Sequence, residues 1–303
     1  MDSLRIPSFA KINLGLQVIR KDPDDYHQIR TIFQMIDLRD ELVIRPGPRE
    51  LRLKMDGFPV PPGKDNLDLQ AARALLRAGR VRRGADIHLT KRIPVAAGLG
   101  GGSSNAAAAL RGLNQVWSLG IGMGKLTEIS RDLGADVPFF LFGGAALGTG
   151  RGDRIRPLRG ALRQPILVVC PPVKLSTRTV YEQGDFGLTP QKPRITMKSF
   201  SLALSGRVSL ADLLVNDLEM PAFRLRPVAR AIKLRLRDLG AVAVSMSGSG
   251  PSVFGVFPRR EAAEKAAEFM RDEGNFCSVS FPMDRDEFRQ STRVIGRQTG
   301  GLG

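Results

Sequence analysis

Residues 93–110 read IPVAAGLGGGSSNAAAAL. Four of the five positions from Gly98 to Gly102 are glycine, and two serines, an asparagine and four alanines follow. Alanine is the best helix former and glycine among the poorest, so the stretch reads as a loose loop that runs directly into a helix beginning near Ser103–Asn105. Upstream, Ala85, Ile87 and Leu89 alternate with Asp86, His88 and Thr90, the period-2 pattern of a strand. The order is therefore strand, glycine loop, helix. The first N–H groups of a helix lack internal partners, and the macrodipole adds partial positive charge there. Consecutive glycines let more N–H groups converge without Cβ atoms blocking a close approach. The product is a seat for phosphate, and the hydroxyls of Ser103 and Ser104 can donate to phosphate oxygens or bind Mg²⁺. A Walker A loop needs lysine after the last glycine, and none follows Gly102. The dinucleotide pattern can start at Gly98, but its last place holds Ser103.

The rest of the chain bounds what surrounds this loop. A length of 303 residues suggests about two domains, and 42% hydrophobic residues suffice for packed cores. The longest mostly apolar run, Val137–Leu147, is too short and glycine-broken to span a bilayer. The start MDSLRIPSFAKINLG lacks the apolar segment of a secretory signal, and Cys170 and Cys277 form no CxxC pair. A reduced cytoplasmic setting is expected, with no membrane partner and Cys170 packed after the run ILVV. Two histidines at no ligand spacing argue against a histidine zinc site, and the metal ligands stay unassigned. A net charge of +16 points to acidic partners such as nucleic acid, anionic lipid or phosphorylated small molecules. The arginines, however, are scattered rather than gathered in one tail.

Residues 11–18, KINLGLQV, alternate strictly and read as a half-buried strand, with Lys11 and Asn13 on its polar face. Further strands are expected at Thr31–Ile36, Glu41–Arg45 and Leu51–Met55, and helices at Asn66–Ala78 and Gly124–Leu133. After a Gly- and Arg-rich stretch at Gly148–Arg163 the order becomes strand Ile166–Cys170, helix Phe223–Leu239, strands Ala241–Met246 and Ser252–Phe257, helix Glu261–Asp272 and strand Cys277–Phe281. That β-α-β-β-α-β series is the ferredoxin-like arrangement, decorated by an insert from Lys174 to Pro221. The expected fold class is α+β, with a strand-rich domain over 1–155, a ferredoxin-like domain over 156–285 and a flexible tail over 286–303.

Away from the loop, GADVPFFLFG (134–143) sets Asp136 before an apolar run. A carboxylate there either makes an Asx turn or acts as a general base. Tyr26 and His27 stand side by side, and Tyr181 is the second of only two tyrosines; flat rings suit stacking on a nucleobase. SMSGSGPS (245–252) is a second glycine–serine loop, readable as a hairpin turn.

Taken together, FAKINLGLQVIRK (9–21), DYH (25–27), PVAAGLGGGSSNAA (94–107), LGADVPFFLFGG (133–144), NDLE (216–219) and MSGSGPSVFGVF (246–257) resemble the GHMP kinase superfamily in order over about residues 5–282. Within it they resemble the branch acting on a cytidine diphosphate-linked methylerythritol in isoprenoid precursor synthesis. The resemblance implies a two-domain α+β kinase using ATP and Mg²⁺, with a phosphoryl-transfer site at Lys11, Asn13 and Asp136. It implies ATP binding by Pro94, Val95, Ala96, Ala97, Gly98, Leu99, Gly100, Gly101, Gly102, Ser103 and Ser104, with Asn66 near the adenine. Tyr26, His27 and Tyr181 would hold the cytosine. Asp25 stands where the family usually has glycine. A homoserine- or mevalonate-type kinase is the rival within the superfamily, and a basic nucleic-acid binder the rival outside it. The small-molecule reading implies no nucleic-acid partner; a weak homodimer is compatible with it.

Overall fold

A computed structural model describes residues 3–60, 66–186 and 194–293. The chain opens with a long antiparallel hairpin, β1 (Leu4–Lys21) and β2 (His27–Gly47). β4 (Gly84–Lys91) and β5 (Ala145–Thr149) share the other edge of β2, pairing with its second and first halves. β3 (Leu51–Gly57) lies parallel to β4, and β6 (Arg154–Pro157) is antiparallel to β5, which completes six strands. This sheet runs through Pro157, just past the division expected at residue 155.

The register of β1 shifts between Phe9 and Ala10 and again between Asn13 and Gly15. Such irregularities re-aim side chains. Leu4, Ile6 and Phe9 join one core, Ala10, Ile12 and Leu14 a second, and Leu16 and Val18 a third. The opposite face is not solvated. Lys11, Asn13 and Gln17 are all at most 3% exposed, which corrects the half-buried reading of this strand. Alternation reports polarity, and here the polar face is turned inward toward the site.

The first core is closed by α1 (Leu67–Gly79), α2 (Gly101–Val116), α3 (Met123–Leu133) and α4 (Val137–Phe142). α1 starts because the Asn66 side chain accepts from the Asp68 N–H at 2.9 Å. Leu69, Ala72 and Leu75 then fall inward at helical spacing. α2 begins at Gly101, earlier than the sequence suggested. Its cap is Gly100 at φ 70°, and no side chain caps it. Ala106–Ala109 are buried, so the helix packs as a slim rod beside the sheet.

The second sheet has order β10-β7-β9-β8, from β7 (Ile166–Cys170), β8 (Ala243–Met246), β9 (Val253–Val256) and β10 (Phe276–Ser280), all antiparallel. α9 (Pro227–Asp238) and α10 (Arg260–Asp272) share one face through Leu167, Val169, Val244 and Met246. This is the expected ferredoxin-like series. Ile166 and Val168 point the other way and share a core with Ile12 and Ile32 of the first sheet.

The helix expected over Phe223–Leu239 is two helices, α8 (Glu219–Leu225) and α9, broken at Arg226. Pro227 has no N–H and disfavours helical backbone at the residue before it. The presumed insert is not decoration. α5 (Thr177–Glu182), α6 (Met197–Leu204) and α7 (Leu210–Leu213) bury Val180, Phe200 and Leu213 within the cores. The expected flexible tail also needs correction. Residues Arg285–Ser291 form α11, with a capping box between Asp284 and Glu287 and with Phe288 buried; residues 294–303 lie outside the described part. Among the described residues no helix is long and apolar enough to cross a membrane.

Candidate active site

The strand–loop–helix of 84–116 opens onto a cleft of about 580 Å³ between the two sheets. The glycine loop forms its floor. Gly98 has φ 76°, and a Cβ there would sit 2.1 Å from the Ser247 carbonyl. Gly100 has φ 70°, and a Cβ there would meet Phe140 at 2.6 Å. Both positions therefore need glycine for conformation and for space. Pro94, Val95, Ala96, Ala97, Gly98, Gly100, Gly101, Gly102 and Ser103 line the cleft. Leu99 packs in a core instead, and the Ser104 hydroxyl accepts from Ser8 Oγ at 2.8 Å below the helix. Ser103 is thus the serine that faces the cleft.

SMSGSGPS is more than a hairpin turn, because it closes the loop from the other sheet. Ser247 Oγ donates to the Gly98 carbonyl at 2.8 Å, and the Ser252 N–H donates to the Ala97 carbonyl at 3.3 Å. The NDLE segment holds that second loop in turn. Asn216 Nδ2 donates to the carbonyls of Met246 and Gly248, both at 2.8 Å.

Lys11 and Asp136 meet at the loop's mouth, with Nζ 3.5 Å from Oδ2. Lys11 also donates to Asn13 Oδ1 at 2.6 Å and lies 5.5 Å from the Phe33 ring. Burial pushes the Lys11 pKa down, and Asp136 opposes that shift. Asn13 is oriented by donating to Thr31 Oγ1 at 2.7 Å. Asp136 sits at the N-cap of α4 but makes no side-chain capping bond. Its carboxylate is therefore not consumed by an Asx turn and faces the cleft. Asn66 also lines the cleft while capping α1.

The three rings do not gather as one cluster. His27 stacks on Tyr181 with centroids 4.9 Å apart, and Phe186 stands edge-on to His27 at 5.4 Å. Burial pushes the His27 pKa down and the Tyr181 pKa up. Tyr26 stands apart, 57% exposed, with the Arg151 guanidinium 3.7 Å over its ring. Asp25 takes the left-handed φ of 65° and pairs with Lys21 at 2.7 Å. The aspartate thus adopts the backbone that glycine takes freely, and its carboxylate is neutralised locally.

Sequence reasoning missed five contributors: Phe186, Arg151, Lys91, Asp40 and Thr177. Phe186 completes the aromatic group. Arg151, in the β5–β6 turn, lines the cleft and pairs with Asp24. Lys91 lies under the start of α2 and is paired with the fully buried Asp40, which also accepts from the N–H groups of Arg92 and Ile93 at 2.6 and 2.8 Å. Thr177 Oγ1 and Ser249 Oγ bond across the cleft at 2.8 Å. Only the GRGD turn carried a local signal, since the other contacts join residues far apart in sequence.

Among the described residues no three His, Cys, Asp or Glu side chains are grouped to hold a metal. A divalent ion carried by a triphosphate needs fewer protein ligands. The uncapped Asp136 carboxylate and the Ser103 hydroxyl, both facing the cleft, fit that requirement.

Comparison with known proteins bears on the whole chain. The model for the GHMP kinases N terminal domain matches residues 66–144, and that for GHMP kinases C terminal matches residues 201–275. A 4-diphosphocytidyl-2-C-methyl-D-erythritol kinase of Pelotomaculum thermopropionicum is 42% identical over 259 residues, covering 85% of this chain and 90% of that protein. A crystal structure of 4-(cytidine 5'-diphospho)-2C-methyl-D-erythritol kinase superposes with a TM-score of 0.79 at 36% identity, covering 92% of this chain and 99% of the other. A homoserine kinase from Cytophaga hutchinsonii, at 20% identity and a TM-score of 0.72 over 94% of this chain and 96% of its own, shares the fold alone. With relatives alike over nearly their whole length and both domain models matched in order, the chain belongs to the 4-diphosphocytidyl-2-C-methyl-D-erythritol kinase family of GHMP kinases.

Proposed function

We propose that the protein transfers the γ-phosphate of ATP to the 2-hydroxyl group of 4-diphosphocytidyl-2-C-methyl-D-erythritol, in isoprenoid precursor synthesis in the cytoplasm. The observation that carries this reading is the Lys11–Asp136 pair, 3.5 Å apart, at the mouth of the glycine loop and in one cleft with Tyr181. We place the division between the two domains between Pro157 and Ile166, where the first sheet ends and the second begins, with both domains contributing to the substrate side.

Phosphoryl transfer depends on positioning and charge stabilisation. The loop N–H groups and the start of α2 hold the triphosphate. Asp136 accepts the hydroxyl proton as the oxygen bonds to the γ-phosphorus and the bond from that phosphorus to the β–γ bridging oxygen breaks, releasing ADP. Lys11 lies 3.5 Å from Asp136 and offsets charge on the transferring oxygens. Asn13 fixes the Lys11 ammonium. Asp136 and Ser103, which both line the cleft, would hold a Mg²⁺ ion, which would neutralise phosphate charge when bound. His27, Tyr181 and Phe186 form a ring system suited to cytosine. A homoserine or mevalonate substrate offers no nucleobase for it.

Thermal-shift titration tests the substrate class. ATP and CDP are each expected to raise Tm, and their shifts should add when both are present. Competition between them for one site would refute the two-site cleft. Arg151 gives a second test. It lines the cleft beside Asp136, where a diphosphate linking cytidine to the polyol must pass. Arg151→Ala is expected to raise KM for the cytidine substrate roughly ten-fold, about the worth of one charged hydrogen bond, with KM for ATP unchanged. An equal rise in both constants would remove it from the substrate side.

A further inference from the structure

The two flanks of the glycine loop have different neighbours. Gly100 lies against Lys11 and Phe140, whereas Gly101 and Gly102 lie against Lys91 and Leu67. A triphosphate whose last phosphate reaches Lys11 and Asp136 therefore places its nucleoside on the Leu67 side. There the cleft is walled by apolar Val60, Leu67, Leu89 and Pro94, which suits a flat base. Among these apolar groups stands Asp68, the second residue of α1 and 2% exposed. Its Oδ1 is buried and has no hydrogen-bond partner among the described residues.

That placement needs an explanation. Burying an unpaired polar atom is costly, and a leucine would suit the surrounding apolar wall. Nearby polar groups are committed elsewhere. Lys91 from β4 pairs with Asp40 from β2, and the Asn66 side-chain oxygen caps the Asp68 N–H. Lys91 and Asp40 are the charged groups that face Asp68, and their effects on it oppose each other. Burial dominates and pushes the Asp68 pKa up to about 7. Asp68 also lines the cleft, so a bound ligand is the partner its oxygen can still acquire.

We propose that Asp68 is a specificity-determining residue for the phosphoryl donor: its neutral carboxyl group donates to a ring nitrogen of adenine and accepts from the adenine 6-amino group. The inference rests on the kinase reading. Protonated, the group offers one donor and one acceptor, complementary to adenine. Ionised, it offers acceptors only. It then repels the adenine ring nitrogen, while it matches the adjacent N–H and NH₂ donors of guanine. Preference for ATP over GTP therefore falls as pH rises through about 7.

The test is calorimetric binding of ATP and of GTP between pH 6 and 8.5, without acceptor substrate, to the wild type, Asp68→Asn and Asp68→Leu. The ratio of the two affinities cancels titration of the triphosphate itself. In the wild type this ratio is expected to fall several-fold over the range. Asp68→Asn, a fixed donor and acceptor, should keep a high ratio at every pH. Asp68→Leu should fold, lose about ten-fold in ATP affinity and keep the wild-type KM for the cytidine substrate. A ratio independent of pH in the wild type, an unchanged slope in Asp68→Asn, or full ATP affinity in Asp68→Leu would each overturn the proposal. Absence of phosphoryl transfer to the cytidine substrate by the wild type would instead refute the kinase reading, and the binding data would still decide the role of Asp68.

Discussion

Asp136→Asn is expected to lower turnover by roughly 10²–10⁴, the usual loss for a general acid–base group, while the protein stays folded. The substitution keeps shape and removes charge. Asp136 makes no capping bond and its side chain is 32% exposed, so the fold does not depend on it. Lys11 does depend on it. The ammonium is buried and already shifted down, and Asp136 is the group that opposes the shift. Without it the Lys11 pKa falls further and more of the lysine is neutral at a given pH. The phosphoryl oxygens then lose their counter-charge as well as the hydroxyl losing its base. A coupled ADP-release assay with a parallel melting curve decides the matter. Turnover within a few-fold of wild type, at unchanged Tm, would remove Asp136 from the chemistry.

The second large effect is on stability. Asp40→Ala is expected to cost about 3–5 kcal/mol, the loss seen when one partner of a buried ion pair is removed. Asp40 is fully buried and receives Lys91, the N–H groups of Arg92 and Ile93, and Asn105 Nδ2 at 2.9 Å. Its removal leaves an ammonium and several donors in a dry interior. Because typical domains are stable by only about 5–15 kcal/mol, the variant should unfold at markedly lower urea. Arg92 and Ile93 lead into Pro94, so the phosphate seat should loosen and ATP affinity fall too. Adding Lys91→Met should recover part of the loss, since it removes the orphaned charge. A midpoint shift worth less than 1 kcal/mol would show that the pair contributes little.

The glycine loop and its helix were legible because the signal is local: a backbone requirement at Gly98 and Gly100 is written in those residues. The alternation of β1 was equally plain, yet it did not reveal that Lys11 and Asn13 are buried, because the covering chain comes from residues around Ser247 and Gly248. Asp40 and Lys91 were invisible for the same reason, being 51 residues apart. Aromatic residue type showed stacking potential but not which ring faces inward, so Tyr26 and His27 read alike and behave differently. Two misses had a readable signal. Pro227 should have broken the long helix, and Asp284 followed by Glu287 is a capping pattern that marks α11.

The contact between Gly98 and the Ser247–Ser252 loop bears on how such chains can be recombined. Each segment is hydrogen-bonded to the other and leaves it no room for a Cβ at Gly98, so a chimera that takes its front half from one parent and its back half from another inherits two turns selected in different company. Such hybrids should melt early and bind nucleotide poorly unless both turns come from the same parent, however well the remaining surfaces match.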